Sequence, residues 1–273
     1  MGSRKMNLAH ALEALGAISF RELRKFMQQR SRLLSALVRP LLWLVVFAAG
    51  FRNVFGVAVI EPYDSFIEYP VYVAPGLLGM VLLFNGIQSS LAMVYDREMG
   101  MMRLLLTAPL ARAYLLACKL VAGMVLSLVQ AYSFMIIAVL FGVDLPWIGW
   151  LYALPALMLG GLMLGALGLL LSVYIKQIEN FASTMNFVIF PMFFMSSALY
   201  PLWKLKESGA IWLYYVASAN PFTHAVELVR YAMYGRFNAV SFAVVAGTLA
   251  AFYIGAVFGY DPQRGMVKKR AQA

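Results

Sequence analysis

Residues 71–94 read VYVAPGLLGMVLLFNGIQSSLAMV, an apolar run that no Asp, Glu, Lys or Arg interrupts. A helix needs about 20 such residues to cross the hydrocarbon core of a bilayer. The composition agrees, because 63% of the residues are hydrophobic and only 12% are charged. Soluble domains carry about 25% charged residues, and a soluble fold of this composition would expose large apolar patches. The sequence therefore predicts an integral membrane protein.

Further apolar runs meet the same criterion, so the predicted fold class is an all-α integral membrane protein with six transmembrane helices. Arg39 and Arg52 interrupt the first run, the third extends back towards Ala113, and Pro155 bends the fourth. The six predicted spans are residues 33–55, 71–94, 115–143, 148–175, 181–200 and 240–260. They define a transmembrane domain, residues 33–260, between an N-terminal segment, 1–32, and a basic tail, 261–273.

Lys and Arg residues predict the orientation, since the cytoplasmic loops of membrane proteins carry the excess of positive charge. The chain has 22 of these residues and a net charge of +10. With the N-terminus inside, 17 of them lie on the inner side and 5 on the outer side. Both termini are therefore expected in the cytoplasm, in a multi-pass protein of the cell inner membrane. The same bias explains the basic composition without nucleic acid as a partner.

The N-terminal segment predicts an amphipathic helix at the cytoplasmic membrane surface. Over residues 8–37, Leu and Phe side chains fall on one arc of a helix, and the basic residues Arg21, Arg24 and Lys25 fall on the opposite side. Such a helix either anchors the chain to anionic lipid headgroups or docks a cytoplasmic partner. The two roles are compatible.

The loop between the second and third spans, residues 96–112, has the composition of a short helix lying across the membrane face. Gly100 permits a break after the second span, and Pro109 ends the helix because the residue before proline avoids α geometry. Taken alone, the loop is either a lever that transmits movement or a simple connecting elbow. Its candidate coupling residues are Asp96, Arg97, Glu98, Gly100, Arg103, Pro109 and Arg112.

This loop resembles the type-2 membrane subunits of ATP-binding-cassette (ABC) exporters. The matching positions of the family pattern are Glu98, Gly100, Leu105, Leu106, Pro109, Arg112 and Lys119. Met101 stands where Thr is usual, and Arg103 occupies a position that is often acidic. The resemblance extends over nearly the whole chain, from the N-terminal helix through the six spans to the Asn220–Pro221 segment.

The resemblance implies a permease that pairs with a second copy, as a homodimer, and docks two copies of a cytoplasmic ABC ATPase. The N-terminal helix and the 96–112 loop, a coupling helix, would contact that ATPase. ATP and Mg²⁺ would bind there, since this chain lacks the Gly-x-x-x-x-Gly-Lys-Ser/Thr phosphate loop. The chain is thus expected to be no enzyme and to hold no cofactor. Its cargo would be a drug, a lipid, a glycolipid or a polysaccharide.

The stretch 201–238 is too long for a simple outer loop and too polar for a span. Asn220 and Pro221 predict a helix start, and Gly235 predicts its end. His224, Glu227 and Arg230 are spaced to share a face of that helix. In the family this region forms re-entrant helices. The charged residues indicate either an outer gate buried between subunits or a solvated ion pair on a surface-lying aromatic belt. His224 has no companion ligands for a metal.

Polar residues within the spans are candidates to line a pathway, although such residues more often bond between helices. They are Asn85, Gln88, Gln130 and Asn186. The alternative function is an ion-coupled secondary transporter or channel, which usually carries ionisable groups inside the membrane. The cores of spans two to five have none. A membrane-embedded enzyme is disfavoured because His10 and His224 are predicted on opposite sides.

Overall fold

A computed structural model describes residues 16–17, 20–21, 24, 38–46, 50, 61–63, 66–98, 112–175 and 177–259. Residues 38–46 are helical. The helices that follow are numbered here in chain order. They are α1 (Tyr69–Glu98), α2 (Arg112–Leu140), α3 (Trp147–Tyr174), α4 (Ile178–Phe194), α5 (Leu202–Glu207), α6 (Ile211–Ala219), α7 (Pro221–Met233) and α8 (Ala239–Gly259).

Four of these helices are long and apolar enough to cross a membrane. They are Tyr69–Tyr95 in α1, Ala113–Leu140 in α2, Trp147–Tyr174 in α3 and Ala239–Gly259 in α8. They overlap the spans predicted at 71–94, 115–143, 148–175 and 240–260, and they support a multi-pass membrane protein. Of the first predicted span, 33–55, the structure describes residues 38–46 and 50.

The fifth predicted span, 181–200, is shorter than expected, because α4 ends at Phe194 after 17 residues. The hydroxyl of Ser196 donates to the carbonyl of Phe193 at 2.6 Å and accepts the N–H of Ala198 at 3.2 Å. Serine side chains that bond to neighbouring backbone groups in this way compete with the helix. Apolarity alone cannot reveal this, so the span was predicted to extend through the turn that follows.

The helices alternate in direction, and the two ends of the bundle are named here by α1 as the Tyr69 end and the Glu98 end. Tyr132 near the end of α2 donates to the carbonyl of Trp150 near the start of α3 at 2.7 Å. Tyr253 near the end of α8 donates to the carbonyl of Ala113 at the start of α2 at 2.6 Å. Helices α5 to α7 therefore lie at the Tyr69 end.

Helix α3 forms the centre of the bundle and contacts α1, α2, α7 and α8. Its glycines let neighbouring helices approach closely. A Cβ atom on Gly86 of α1 would lie 2.9 Å from the backbone nitrogen of Gly165, and one on Gly168 would lie 2.7 Å from the carbonyl oxygen of Gly86. Small residues at such crossings allow the backbone packing on which membrane helices depend.

We expect Gly168→Ala to destabilise the bundle, because the new methyl group would meet the backbone of α1 and the hydroxyl of Ser90 at 2.7 Å. Overpacking of this kind costs about 1–3 kcal/mol. The matched control is Gly160→Ala in the same helix, whose Cβ would meet Leu82 at 3.5 Å and Ala225 at 3.8 Å, both ordinary contact distances. Thermal unfolding of the purified protein in detergent measures both, and equal midpoints would contradict the close contact between α1 and α3.

Candidate functional site

The segment between α4 and α8 folds into three helices, of which α7 is packed into the Tyr69 end. Helix α7 buries Phe222, Ala225, Val226 and Val229, whereas α6 buries only Ala217. An amphipathic helix gains its stability from such a buried face. The contacts of α7 with α1, α3 and α8 make it the element that closes this end of the chain's own bundle.

The ends of α7 are fixed by the residues that the sequence indicated. The side chain of Asn220 accepts the N–H of Phe222 at 3.0 Å, and Pro221 occupies the first turn. Gly235 has φ +68°, its N–H bonds to the carbonyl of Ala232 at 3.0 Å, and Arg236 N–H bonds to the carbonyl of Tyr231 at 3.0 Å. This pair of bonds is a Schellman motif, which favours glycine at the left-handed position.

Asn220 has a second role that the sequence did not indicate. Its amide group donates to the carbonyls of Met192 and Met195, at 2.7 Å each. Carbonyls at a helix C-terminus have no partner within the helix. Asn220 therefore caps the end of α4 and the start of α7 with one side chain, and it fixes the two helices relative to each other.

Arg230 is the central residue of the site. Its side chain is 3% exposed and forms an ion pair with Glu227 on the same helix. Its guanidinium group also donates to the carbonyl of Ser197 at 3.0 Å and lies 4.1 Å from the centre of the Tyr72 ring. Arginine suits this place because its planar group stacks on an aromatic ring while it donates in several directions. Arg230 thus joins α7 to α1 and to the turn after α4.

That turn, residues 195–200, is held by α1 from the other side. The hydroxyl of Tyr72 donates to the carbonyl of Ser197 at 3.0 Å, and the hydroxyl of Tyr69 donates to the carbonyl of Leu199 at 2.7 Å. Gly76 permits the approach, since a Cβ atom there would lie 2.7 Å from the Cα of Ala198. The two tyrosines were missed at the level of sequence, because both lie inside or beside an apolar run that reads as span.

The polar cluster around Arg230 is buried and only partly bonded. Among the residues that the structure describes, Arg230 Nε, the hydroxyl of Ser197 and the hydroxyl of Tyr63 are buried without a hydrogen-bond partner of normal geometry. Burial raises the pKa of Tyr63, which keeps this hydroxyl protonated at neutral pH. For Arg230, burial is the largest effect and lowers the pKa, but the charge and hydrogen bond of Glu227, together with the neighbouring Tyr72 and Tyr63, raise the pKa by more. The guanidinium of Arg230 therefore stays charged and paired with Glu227.

His224 lies apart from this ion pair. Its Nδ1 is 3.3 Å from the hydroxyl of Ser241, and its Nε2 is 3.0 Å from the carbonyl of Ser218. Arg230 follows His224 by six positions, which is about 600° of helix rotation and so leaves about 120° between the directions of the two side chains. Of the predicted cluster, the structure brings together Glu227 and Arg230, and it uses His224 to join α7 to α6 and α8.

The four polar residues proposed for a pathway occupy different environments. The amide of Asn85 donates to the hydroxyl of Ser127 at 2.6 Å and to the carbonyl of Gly123 at 3.2 Å, so it bonds α1 to α2. Gln130 is buried, and its Oε1 has no hydrogen-bond partner in the described part of the chain. Gln88 lines a small cavity of about 70 Å³ beside Arg39. Asn186 is exposed on α4. The hydrogen bonds of Asn85 are therefore a helix-packing contact.

The predicted coupling residues lie at the Glu98 end where the structure describes them. Asp96, Arg97 and Glu98 form the last turn of α1, and Arg112 begins α2. Gly100, Arg103 and Pro109 lie outside the described residues, as does Lys25 of the N-terminal helix. Arg21 and Arg24 are helical and exposed. The loop therefore connects two spans at the end opposite to α7.

Comparison with known proteins gives a consistent result over most of the chain. The sequence profile of the ABC-2 type transporter family matches residues 13–234. A protein of Cyanophora paradoxa named as a transport permease (ycf38) is 32% identical over 217 residues, which are 76% of this chain and 71% of the relative.

Two further relatives carry more specific names. The daunorubicin resistance ABC transporter permease protein DrrB1 of Streptomyces coeruleorubidus is 23% identical over 227 residues, covering 81% of this chain and 76% of the relative. Nodulation protein J of Rhizobium leguminosarum bv. viciae is 30% identical over 90 residues, or 33% of each chain.

Proposed function

Because this chain belongs to the ABC-2 type transporter family, we propose that it is the membrane-spanning subunit of an exporter driven by a separate ATPase, with α7 as its outer gate. Members of the family are permease subunits rather than catalytic enzymes, and they normally partner with an ABC ATPase. We further propose a homodimer of permeases on two ATPase copies, with ATP and Mg²⁺ bound by the ATPases. The cargo is a drug, a lipid, a glycolipid or a polysaccharide.

The proposed orientation puts the Tyr69 end outside. With the N-terminus in the cytoplasm, 17 of the 22 Lys and Arg residues fall on the Glu98 side of the membrane. The protein then lies in the cell inner membrane, and both termini and the 96–112 loop face the cytoplasm. The ATPase would meet the loop and the N-terminal helix, where Arg21, Arg24 and Lys25 offer a basic face. Helix α7 would lie at the exit.

The observation that carries the gate is the position of Arg230, which joins α7 to α1 and to the 195–200 turn. Its ion-pair partner, Glu227, is on the same helix, so the pair moves with α7 as a unit. Opening would break the bond to Ser197 and the contact with Tyr72, without separating the two charges. Bonds to charged groups contribute about 1.5–3 kcal/mol, and cation–π contacts about 0.5–2 kcal/mol. Contacts of this size would hold α7 closed at rest and could still be broken during a transport cycle.

A disulfide between α1 and α7 tests the gate. A Cβ atom on Gly79 would lie 2.7 Å from Cγ2 of Val226, which places cysteines at these two positions within the reach of a disulfide. In a Cys118→Ala background, we expect Gly79→Cys with Val226→Cys to lose export when oxidised and to regain it when reduced. Daunorubicin efflux from cells that also express the ATPase is the first assay, because the relative DrrB1 is named for resistance to this compound.

The control places the same bond where no gate is proposed. A Cβ atom on Gly259 of α8 would lie 2.7 Å from Cγ1 of Val173 of α3, so Gly259→Cys with Val173→Cys matches the geometry at the Glu98 end. ATP hydrolysis by the purified complex is measured beside efflux. Full export by the oxidised Gly79–Val226 variant would show that α7 stays fixed on α1 during transport, and the gate would be abandoned.

A further inference from the structure

Arg39 places a positive charge at mid-depth in the membrane-spanning part of the chain. It belongs to the helical stretch 38–46, and its guanidinium carbon lies 3.9 Å from the centre of the Phe84 ring of α1. Phe84 is near the middle of the apolar part of α1, Tyr69–Tyr95. At 1.5 Å per residue, it lies about 22 Å from Tyr69 and about 16 Å from Tyr95, and the hydrocarbon core is about 30 Å thick. Arg39 is therefore far from both membrane surfaces.

Within the described part of the chain, no acidic group neutralises Arg39. Its partner there is the Phe84 ring, and no ion pair joins it. A second copy cannot supply a carboxylate at this depth, because all 12 Asp and Glu residues lie outside the six predicted spans. Arginines inside a membrane face a partner or a water-filled cavity, since exposure to lipid is costly. Arg39 is exposed on the single chain, and this surface is therefore expected to face water.

A row of aromatic side chains leads from Phe84 towards the Tyr69 end. Phe84 meets Phe190 of α4 edge-on, with ring centres 6.3 Å apart, and Phe190 stacks with Phe194 at 6.2 Å. Trp43 meets Phe194 from the other side at 5.8 Å. Phe190 is 40% exposed and Phe194 is 39% exposed, so both rings are open to the outside of the single chain. The row therefore offers an apolar surface that continues from the charge towards the end where α7 lies.

We propose that Arg39 selects the cargo, which is an anionic amphiphile with its acidic group at Arg39 and its apolar part along Phe190 and Phe194. A guanidinium suits this role because its fork donates paired bonds to a phosphate or a carboxylate. Its charge is permanent, so Arg39 binds an anion but does not carry a proton. The inference rests on the proposed exporter function and narrows its cargo to compounds that join an acidic group to an apolar body.

Thiol labelling tests whether water reaches Arg39. Arg39→Cys in a Cys118→Ala background is treated, in membrane vesicles, with an anionic methanethiosulfonate, which reacts with the thiolate that forms in water. The matched control is Val129→Cys, since Val129 is 43% exposed near the middle of α2. We expect Arg39→Cys to be labelled at least tenfold faster. If the two cysteines react at the same rate, the surface at Arg39 is no more hydrated than a lipid-facing one, and the proposal is overturned.

Binding to the purified permease tests the charge without the ATPase. The probes are phosphatidic acid and diacylglycerol with the same fluorescent acyl chain, which differ only in the phosphate. The native chain should bind phosphatidic acid about tenfold more tightly, as one charge-assisted contact allows. Arg39→Ala should lose this preference and Arg39→Lys should keep part of it. The matched control is Lys206→Ala, which removes a positive charge that lies over the Tyr214 ring, away from α1.

The unfolding midpoint separates binding from folding. A lost preference at an unchanged midpoint supports the proposal, and where Arg39→Ala does not fold, Arg39→Gln takes its place. A preference that survives in the folded variant overturns the proposal. Glycerol phosphate is added as a competitor, and full displacement of the labelled lipid by this headgroup alone would leave a simple anion site and overturn the amphiphile.

Export of the two probes by the complex with its ATPase separates this inference from the exporter function. We expect ATP-driven export of phosphatidic acid, and a loss of at least tenfold in Arg39→Ala with diacylglycerol unaffected. Binding through Arg39 without any export would overturn the exporter function and retain the anion site. Export that is equal in Arg39→Ala and the native chain would retain the exporter and overturn Arg39 as the residue that selects the cargo.

Discussion

The variant Arg230→Ala should fold poorly or unfold at a much lower temperature than the native chain. Glu227, whose side chain is 20% exposed, forms its ion pair with Arg230. Removing one partner of a buried ion pair leaves an uncompensated charge, which costs about 3–5 kcal/mol. The Ser197 carbonyl and the Tyr72 ring lose their contact at the same time. The unfolding midpoint in detergent and the yield of folded protein measure the effect.

A charge-free double variant separates the anchoring contact from the charge. Glu227→Gln with Arg230→Met removes both charges and keeps most of the side-chain volume. We expect it to be more stable than Arg230→Ala, because no buried charge remains without a partner. Since α7 also loses its bond to Ser197, the double variant should release the closed end, and the isolated permease in liposomes should leak a small dye. Arg236 is partly exposed, so Arg236→Ala serves as the comparison. If Arg230→Ala is no less stable than Arg236→Ala, the assignment of Arg230 as a buried anchor of α7 is wrong.

The second large effect is expected at the opposite end. Glu98 is the last residue of α1 and Arg112 is the first of α2, so the two residues bracket the proposed coupling loop. We expect Glu98→Ala with Arg112→Ala to leave insertion and the unfolding midpoint nearly unchanged. Stimulation of the ATPase and export should each fall by about tenfold or more, since losing about 1.4 kcal/mol at an interface already gives tenfold. Both rates are measured on the same reconstituted complex.

A matched control uses the other connection that the proposed orientation places in the cytoplasm. Lys176→Ala with Glu179→Ala also removes one basic and one acidic residue, Lys176 between α3 and α4 and Glu179 in the first turn of α4. It should leave ATPase stimulation and export close to native values. Equal losses in the two double variants would mean that general charge at the membrane face matters, and that the 96–112 loop has no special part in coupling.

The sequence predicted features that depend on local chemistry. The apolar runs that form α1, α2, α3 and α8 are long enough to be recognised as spans by length alone. Asn220, Pro221 and Gly235 mark the ends of α7, because capping involves only residues that are neighbours in the chain.

Features that depend on tertiary contacts were not accessible in this way. Arg230 meets Tyr72 and Ser197, which are 158 and 33 residues away, and no periodicity reports such a meeting. The early end of α4 depends on the hydroxyl of Ser196, and Asn85, a candidate either to line a pathway or to bond between helices, joins α1 to α2. In each case the sequence indicated a polar residue but not its partner.

The central proposal is that this chain supplies the path and a separate ATPase supplies the energy. The most direct test purifies the full chain from its own membrane, reconstitutes it with the ABC ATPase that accompanies it, and measures Mg-ATP hydrolysis and export. We expect both activities in the complex and neither in the permease alone. Replacing the phosphate-loop lysine of the ATPase with alanine should abolish both. Export that continues in the permease alone, driven by an ion gradient and indifferent to ATP, would contradict the proposal.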